Sequence, residues 1–288
     1  MQGLTATLRK RIGLRTRLRR RVAETAGPRR LGDSDAALLE RTVDGLRDYN
    51  RIMCDCSPDG RPLELEGVMA AVVPATPERS LMNAVVYERS SALAAALEEL
   101  DAAYEKAGVE AWMVWVPAVD AQARKLVKRR GHRLEAHPTA MARELDGIER
   151  PPEGALPDWT AEGEHGVMAA ICDRVFAFGD AFRRTFSSPL PERAHVYLAS
   201  IEGEPASCLL TSEHDGNCAV DLVATVPEAR HRGLAAGLVL HALADAAERG
   251  CSTTTLSATP EGRPLYERLG YRALCPLQQW ERRRSATG

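Results

Sequence analysis

The sequence has little of what marks a membrane, secreted or polyanion-binding protein. No apolar run approaches the ~20 residues that cross a bilayer, so no membrane span is expected. The N-terminal segment has neither a continuous apolar stretch nor a small-residue cleavage site, which predicts no secretory signal. Net charge is only −2 over 288 residues, so the molecule as a whole is no polyanion binder and no nucleic-acid partner is expected. Cysteine is scattered and odd in number, at seven, which argues against a disulfide framework and for a reducing cytoplasm. Cys54 and Cys56 have the look of half a metal site, but no second Cys or His pair at finger spacing follows, so no metal is expected. Two phosphate signatures, G-x-G-x-x-G and G-K-[ST], are missing as well.

What is present suits two domains of ordinary size with real cores, since 44% of residues are hydrophobic and 27% charged. The stretch DGIERPPEGALP, Asp146 to Pro157, is dense in proline and glycine and free of apolar period, which marks a linker. The expected organisation is a basic segment over 1–30, a domain over 31–148, a linker over 149–156 and a second domain over 157–288. In the first segment Arg9, Lys10, Arg11, Arg15, Arg17, Arg19, Arg20 and Arg21 precede the first acid, Glu24. Such a block reads as a solvated, flexible tail. The alternative, with Leu4, Leu8, Ile12, Leu18 and Val22 on one helical face, is contact with an anionic membrane or nucleic acid.

The C-terminal half alternates clearly. Apolar spacing predicts a helix over His165 to Phe178, then strands over His195 to Ser200, Pro205 to Thr211 and Cys218 to Thr225. A helix from about Gly233 to Arg249 is stopped by Gly250. A strand over Thr253 to Ser257, a short helix over Arg263 to Leu269 closed by Gly270, and strand material over Tyr271 to Trp280 complete it. Helices layered on an antiparallel meander define an α/β (α+β) domain.

Strand Cys218 to Thr225 runs through a Pro-Glu-Ala turn into ARHRGLAAGL, a helix start where small residues replace apolar bulk. A helix N-terminus offers unpaired N–H groups and partial positive charge. Amides from His231 to Ala235 can converge on a pyrophosphate, Gly233 and Ala235 have no bulk to block it, and Arg230 and Arg232 add charge.

Arg230-x-x-Gly233-x-Ala235 after a strand, followed by TPEGRPLYERLGY over Thr259 to Tyr271, resembles the GNAT superfamily of acyl-CoA-dependent N-acetyltransferases. The likeness spans roughly Arg193 to Trp280, with both motifs in order. It implies that acetyl-CoA is the co-substrate. Val223, Ala224 and Thr225 would line its pantetheine and acetyl group on a strand splayed from its neighbour. His231, Arg232, Gly233, Leu234, Ala235 and Ala236, with Arg230, would hold the pyrophosphate. By the same resemblance Tyr266 donates a proton to the departing thiolate; its alternative is a tyrosine packed between helix and sheet. Many members of the family have asparagine where this chain has Thr259, so Thr259 is not expected to contact CoA.

The chemistry needs few side chains. A strand amide stabilises the oxyanion formed when an amine attacks the thioester, and alignment supplies much of the rest. An alkylamine of pKa ~10.4 must lose a proton first. Asp221 is the candidate base, with strand parity matching Val223 and Thr225, and its alternative is a surface pair with an arginine. His214 and Asp215 sit in a turn and read as solvated.

The N-terminal half offers strands around Gly67 to Val73 and Leu81 to Tyr87, a helix Ser90 to Ala107, a strand Ala111 to Val116, a helix Asp120 to Arg130 and a tail HRLEAHPTAMARELD. This order echoes the other half, and Lys128 to His132 corresponds to Glu267 to Tyr271. The chain is similar to tandem GNAT proteins: two GNAT-like domains, each a mixed, mostly antiparallel sheet flanked by helices, with the first degenerate. YERSSALAAAL has no glycine at its helix entry, so no CoA is expected there. The implied acceptor is a primary amine of a small molecule or peptide, and a homodimer is compatible with this reading. The rival is a regulatory or scaffold module that binds acyl-CoA without turnover.

Overall fold

The computed structural model describes residues 33–156 and 158–284; the basic segment over 1–30 lies outside them. A helix, α1 (Asp33–Cys56), opens the described chain. Its buried Leu38, Leu39, Leu46, Tyr49, Ile52 and Met53 recur at spacings of three and four, the period of a helix buried along one stripe. Strands β1 (Arg61–Leu65), β2 (Val68–Val72) and β3 (Ala84–Tyr87) follow, then α2 (Ser90–Lys106), β4 (Ala111–Pro117), α3 (Ala121–Arg129), β5 (Arg133–Ala136) and β6 (Thr139–Glu144). The rest of the chain forms β7 (Trp159–Thr160), α4 (His165–Phe176), α5 (Ala181–Thr185), β8 (Ala194–Ile201), β9 (Glu204–His214) and β10 (Asn217–Thr225). It ends with α6 (Leu234–Glu248), β11 (Thr253–Ala258), α7 (Arg263–Arg268) and β12 (Arg272–Arg283).

Several of these depart from the sequence expectations. The segment HRLEAHPTAMARELD is two strands, β5 and β6, and α1, β1 and α5 carried no assignment. Asp120 is a cap, not a helical residue: its carboxylate accepts the Ala123 N–H at 2.9 Å. Helix α4 stops two residues early because Ala177 turns left-handed, at φ 57°.

All the strands join one sheet in the order β1-β2-β3-β4-β12-β6-β11-β10-β9-β8-β7, with β5 also paired to β12. The architecture is a mixed, mostly antiparallel sheet flanked by helices; β3 with β4 and β10 with β11 are parallel pairs. The order reads as two similar runs meeting at the centre, and there the halves exchange their last strands. β6 runs antiparallel to β11, from Thr253 opposite Glu144 to Ala258 opposite Thr139. β12 instead crosses over, pairing its first residues with β6 and its later ones with β4 and β5. Met141 of β6 is accordingly buried in the same core as Leu256, Tyr266 and Tyr271.

Helix ends repeat across the halves as well. Gly131 N–H bonds Lys128 C=O and His132 N–H bonds Val127 C=O; Gly270 bonds Glu267 and Tyr271 bonds Tyr266 in the same way. Both glycines are left-handed, at φ 86° and 83°, the closure in which a left-handed residue lets its own amide and the next fold back on the last turn. α2 and α6 end likewise, through Gly108 with Val109 and Gly250 with Cys251.

Candidate acyl-transfer site

Strand β10 holds the site because it leaves its neighbour midway. It pairs with β11 only from Asn217 to Val220, while its pairing with β9 continues to Thr225. The register on β9 slips between Asp221 and Ala224, and Leu222 in the gap has φ 51°. This is a bulge, an extra residue that bends and twists the strand. Beyond it the backbone of β10 faces a gap where β11 would have paired.

The bulge also changes which side chains share a face. Asp221 sits opposite Leu210 and Ala224 opposite Cys208, two residues apart on β9, so Asp221 shares its face with Ala224. The expected match of Asp221 with Val223 and Thr225 does not hold, because parity counted along the sequence skips the inserted residue. Ala224 is buried, and the Thr225 hydroxyl lies 2.8 Å from that of Ser207 across the strand pair. Val223 is half-buried.

A short 3-10 turn, Pro227–Ala229, carries the chain from β10 to α6. Arg230 donates from Nε to the Thr225 carbonyl at 3.2 Å, tying the loop back to the strand end. His231 is left-handed, at φ 63°, and so is Gly233, at φ 81°. A Cβ on Gly233 would meet nothing within 4 Å, so the loop opens to solvent at its centre. The first bond inside α6 runs from Gly237 N–H to Gly233 C=O at 2.9 Å. The amides of Leu234, Ala235 and Ala236 are left at the positive end of a 15-residue helix. Leu234 turns its side chain into the core, Ala235 and Ala236 are half-buried, and Arg230, His231 and Arg232 are exposed. Open space, small residues and cationic side chains at this helix start fit an anion the size of a pyrophosphate.

Tyr266 on α7 is 8% exposed and meets Tyr271 edge to face, 5.8 Å between ring centres. Burial, then the charge of Asp221, pushes its phenol above the ordinary tyrosine value, so it stays protonated and able to donate throughout the neutral range. The two candidate catalytic residues are thus within electrostatic reach of each other. Asp221 itself is half-buried. Burial first, and Asp48 second, raise its carboxyl to about 7. Among the described residues it makes no ion pair with an arginine.

Thr259 is employed locally, its hydroxyl accepting the Gly262 N–H at 3.1 Å. His214 and Asp215 form an exposed turn pair, 3.2 Å apart. Cys54 and Cys56 are buried, and burial pushes their thiols up to about 12 and about 11. The sequence reading missed Asp48 and Tyr49, which α1 brings over β10. The apolar period of α1 was the available signal for the helix, though nothing in it announced what the helix covers.

The gap beside β10, the anion-ready start of α6 and the buried phenol on α7 are the features an acyltransferase domain would use. Residues 156–271 match the model of the acetyltransferase (GNAT) family, and this part of the chain is a GNAT acetyltransferase domain. A GCN5-related N-acetyltransferase from Kribbella flavida superposes with a TM-score of 0.60 at 16% identity, over 83% of this chain and 95% of that one. Another from Sphaerobacter thermophilus gives 0.54 at 18% identity, over 88% and 94%. These likenesses are of fold, and they extend over both halves of the chain. No curated protein matches the sequence. Among the described residues no helix is long and apolar enough to cross a membrane.

Proposed function

We propose that the protein transfers an acetyl group from acetyl-CoA to a primary amine of a small molecule or peptide, using one site in its C-terminal half. The observation that carries this reading is the departure of β10 from β11 after Val220, directly before the glycine-opened start of α6. Backbone polar groups of Val223, Ala224 and Thr225 would pair with the pantetheine arm, and the amides from His231 to Ala236, with Arg230 and Arg232, would hold the pyrophosphate. Acetyl-CoA supplies an activated acyl carbon on a thiolate leaving group. Asp221, near pH 7 in its titration, takes the proton of the attacking amine. A β10 amide steadies the oxygen that becomes negative, and the Tyr266 hydroxyl gives its proton to the departing sulfur.

The N-terminal half is read as a second GNAT-like unit, over 31–148, that binds no CoA. The matched helix ends and the mirrored strand order support the repeat. At the place corresponding to the open gap, Tyr87 at the end of β3 bonds the Asp120 carboxylate at 2.9 Å, and Ser90 bonds Gln122 at 3.1 Å. Arg89, in extended conformation, precedes α2 where Gly233 precedes α6. These side-chain bonds support the reading that a pantetheine arm would be obstructed there.

Thiol release from acetyl-CoA by the full chain, across a panel of primary amines, tests the reading. Amine-dependent release is the expected result. Tight CoA binding with no release for any amine would favour a module that binds acyl-CoA without turnover.

A further inference from the structure

We infer that α1 builds the acceptor subsite: Asp48 and Tyr49, set against Asp221, hold the ammonium group of an aliphatic amine that is cationic at neutral pH. The inference rests on the amine-acetyltransferase reading above and names the acceptor class for that site.

The placement begins with Gly45. A Cβ there would stand 2.9 Å from the Ala219 Cβ on β10, so α1 crosses the sheet at a distance only glycine permits. Ala219 lies two residues before Asp221 and on its face. One helical turn beyond Gly45 stand Asp48 and Tyr49, both within electrostatic reach of that carboxylate.

These two residues are buried and incompletely bonded. Asp48 is 5% exposed; Arg193 Nε donates to its Oδ1 at 2.8 Å, and Oδ2 has no partner among the described residues. Tyr49 is 4% exposed and its hydroxyl has no partner among the described residues. Burial pushes that hydroxyl above the ordinary tyrosine value, and the charges of Asp221 and then Cys172 add to the shift. Ser212, cross-strand from Ala219, adds another buried hydroxyl without a partner among the described residues. Buried polar atoms are ordinarily bonded, and those that are not call for an explanation.

Charge and donor count select the ligand. Of the two carboxylates, Asp48 is paired with the guanidinium of Arg193 and Asp221 has no arginine partner among the described residues, so an ionised Asp221 leaves the cluster negative. An alkylammonium brings one positive charge and three N–H donors. Asp221, the free oxygen of Asp48 and the Tyr49 hydroxyl can each accept one. An alcohol or an aromatic amine of low basicity lacks the charge, and a carboxylate-bearing face would be repelled.

The test is a thermal-shift titration of the full chain with CoA present. Probes are n-propylamine and 1,3-diaminopropane as chloride salts at fixed pH, against n-propanol. Stabilisation by the amines beyond that by the alcohol is expected, with at least tenfold weaker apparent amine affinity in Asp48→Asn and Tyr49→Phe. Both variants should keep the shift produced by CoA. Tyr49→Phe removes a hydroxyl that has no partner among the described residues, so it should fold even if Asp48→Asn does not. Equal shifts for amine and alcohol, or undiminished amine affinity in folded Tyr49→Phe, would overturn the subsite. Absence of any CoA shift in the wild type would count against the acetyl-CoA reading instead, while leaving the amine comparison readable.

Discussion

Val127 stands in its helix where Tyr266 stands in the matching one: each carbonyl accepts the amide of the residue five positions on, His132 and Tyr271 respectively. The equivalence places an aliphatic side chain, fully buried, where the C-terminal half carries its phenol. The proton donor proposed for the C-terminal half thus has no counterpart in the N-terminal one. Tyr266→Phe keeps the ring and its contact with Tyr271 and removes only the hydroxyl. Acetyl-CoA affinity should be unchanged while kcat falls ~10²–10⁴-fold, the usual contribution of a general acid. Turnover within a few-fold of wild type would make Tyr266 a packing residue.

Gly233 separates backbone strain from bulk. Alanine there brings a Cβ into a left-handed conformation, at a cost of roughly 1–2 kcal/mol for a non-glycine residue. Valine adds bulk in front of the α6 amides. Both variants should melt lower than wild type, and Gly233→Val should lose at least tenfold more CoA affinity than Gly233→Ala, measured by calorimetry. Equal affinities in the two would remove the loop from the pyrophosphate site.

The Asp221 carboxyl, raised to about 7 by burial and by Asp48, must be ionised to act as base. The pH profile of kcat/KM should therefore rise through about pH 7. Asp48→Asn removes a neighbouring negative charge and should move that limb toward lower pH. Stability follows the opposite sign. A carboxyl raised in the folded state favours folding most fully below its unfolded value, and that contribution is lost as pH rises through about 7. Asp221→Asn should accordingly melt higher than wild type at pH 8, with little difference at pH 4.

Met141 tests the strand exchange. It belongs by sequence to the N-terminal half, yet is fully buried in the core shared with Tyr266 and Leu256. Met141→Ala should cost ~2–5 kcal/mol and weaken CoA binding along with stability in denaturant titrations. If the sheet were two independent pieces, the substitution would leave the CoA site untouched.

Much of this arrangement was readable along the chain. The β10 to α6 passage and α7 announced themselves because local chemistry decides them: glycine where a left-handed turn is needed, small residues at a helix start, apolar period elsewhere. The bulge at Leu222 was not, since an extra residue in a strand leaves the composition of VDLVAT unchanged and is set by pairing with β9. That one insertion reversed the parity argument for Val223 and Thr225. Strands β5 and β6 were hidden for a similar reason. Arg133, Leu134 and Glu135 are exposed on β5, with no alternation to betray a strand; their partner is β12, far along the sequence. Asp48 and Tyr49 belong to a helix whose apolar stripe was visible but whose target, β10, is a long-range contact.

The exchanged strands also bear on how the chain is made. Ribosomal synthesis delivers β4 early, but the partner that covers its edge is β12, and Ala111 waits for Arg283. Until then the first half presents an unpaired strand edge, the kind of template that draws other chains into aggregation. Pairing so distant in sequence also closes slowly. The protein therefore completes neither half before its last strand is released, and chains cut short near their C-terminus should be lost as insoluble material rather than accumulate as a folded N-terminal unit.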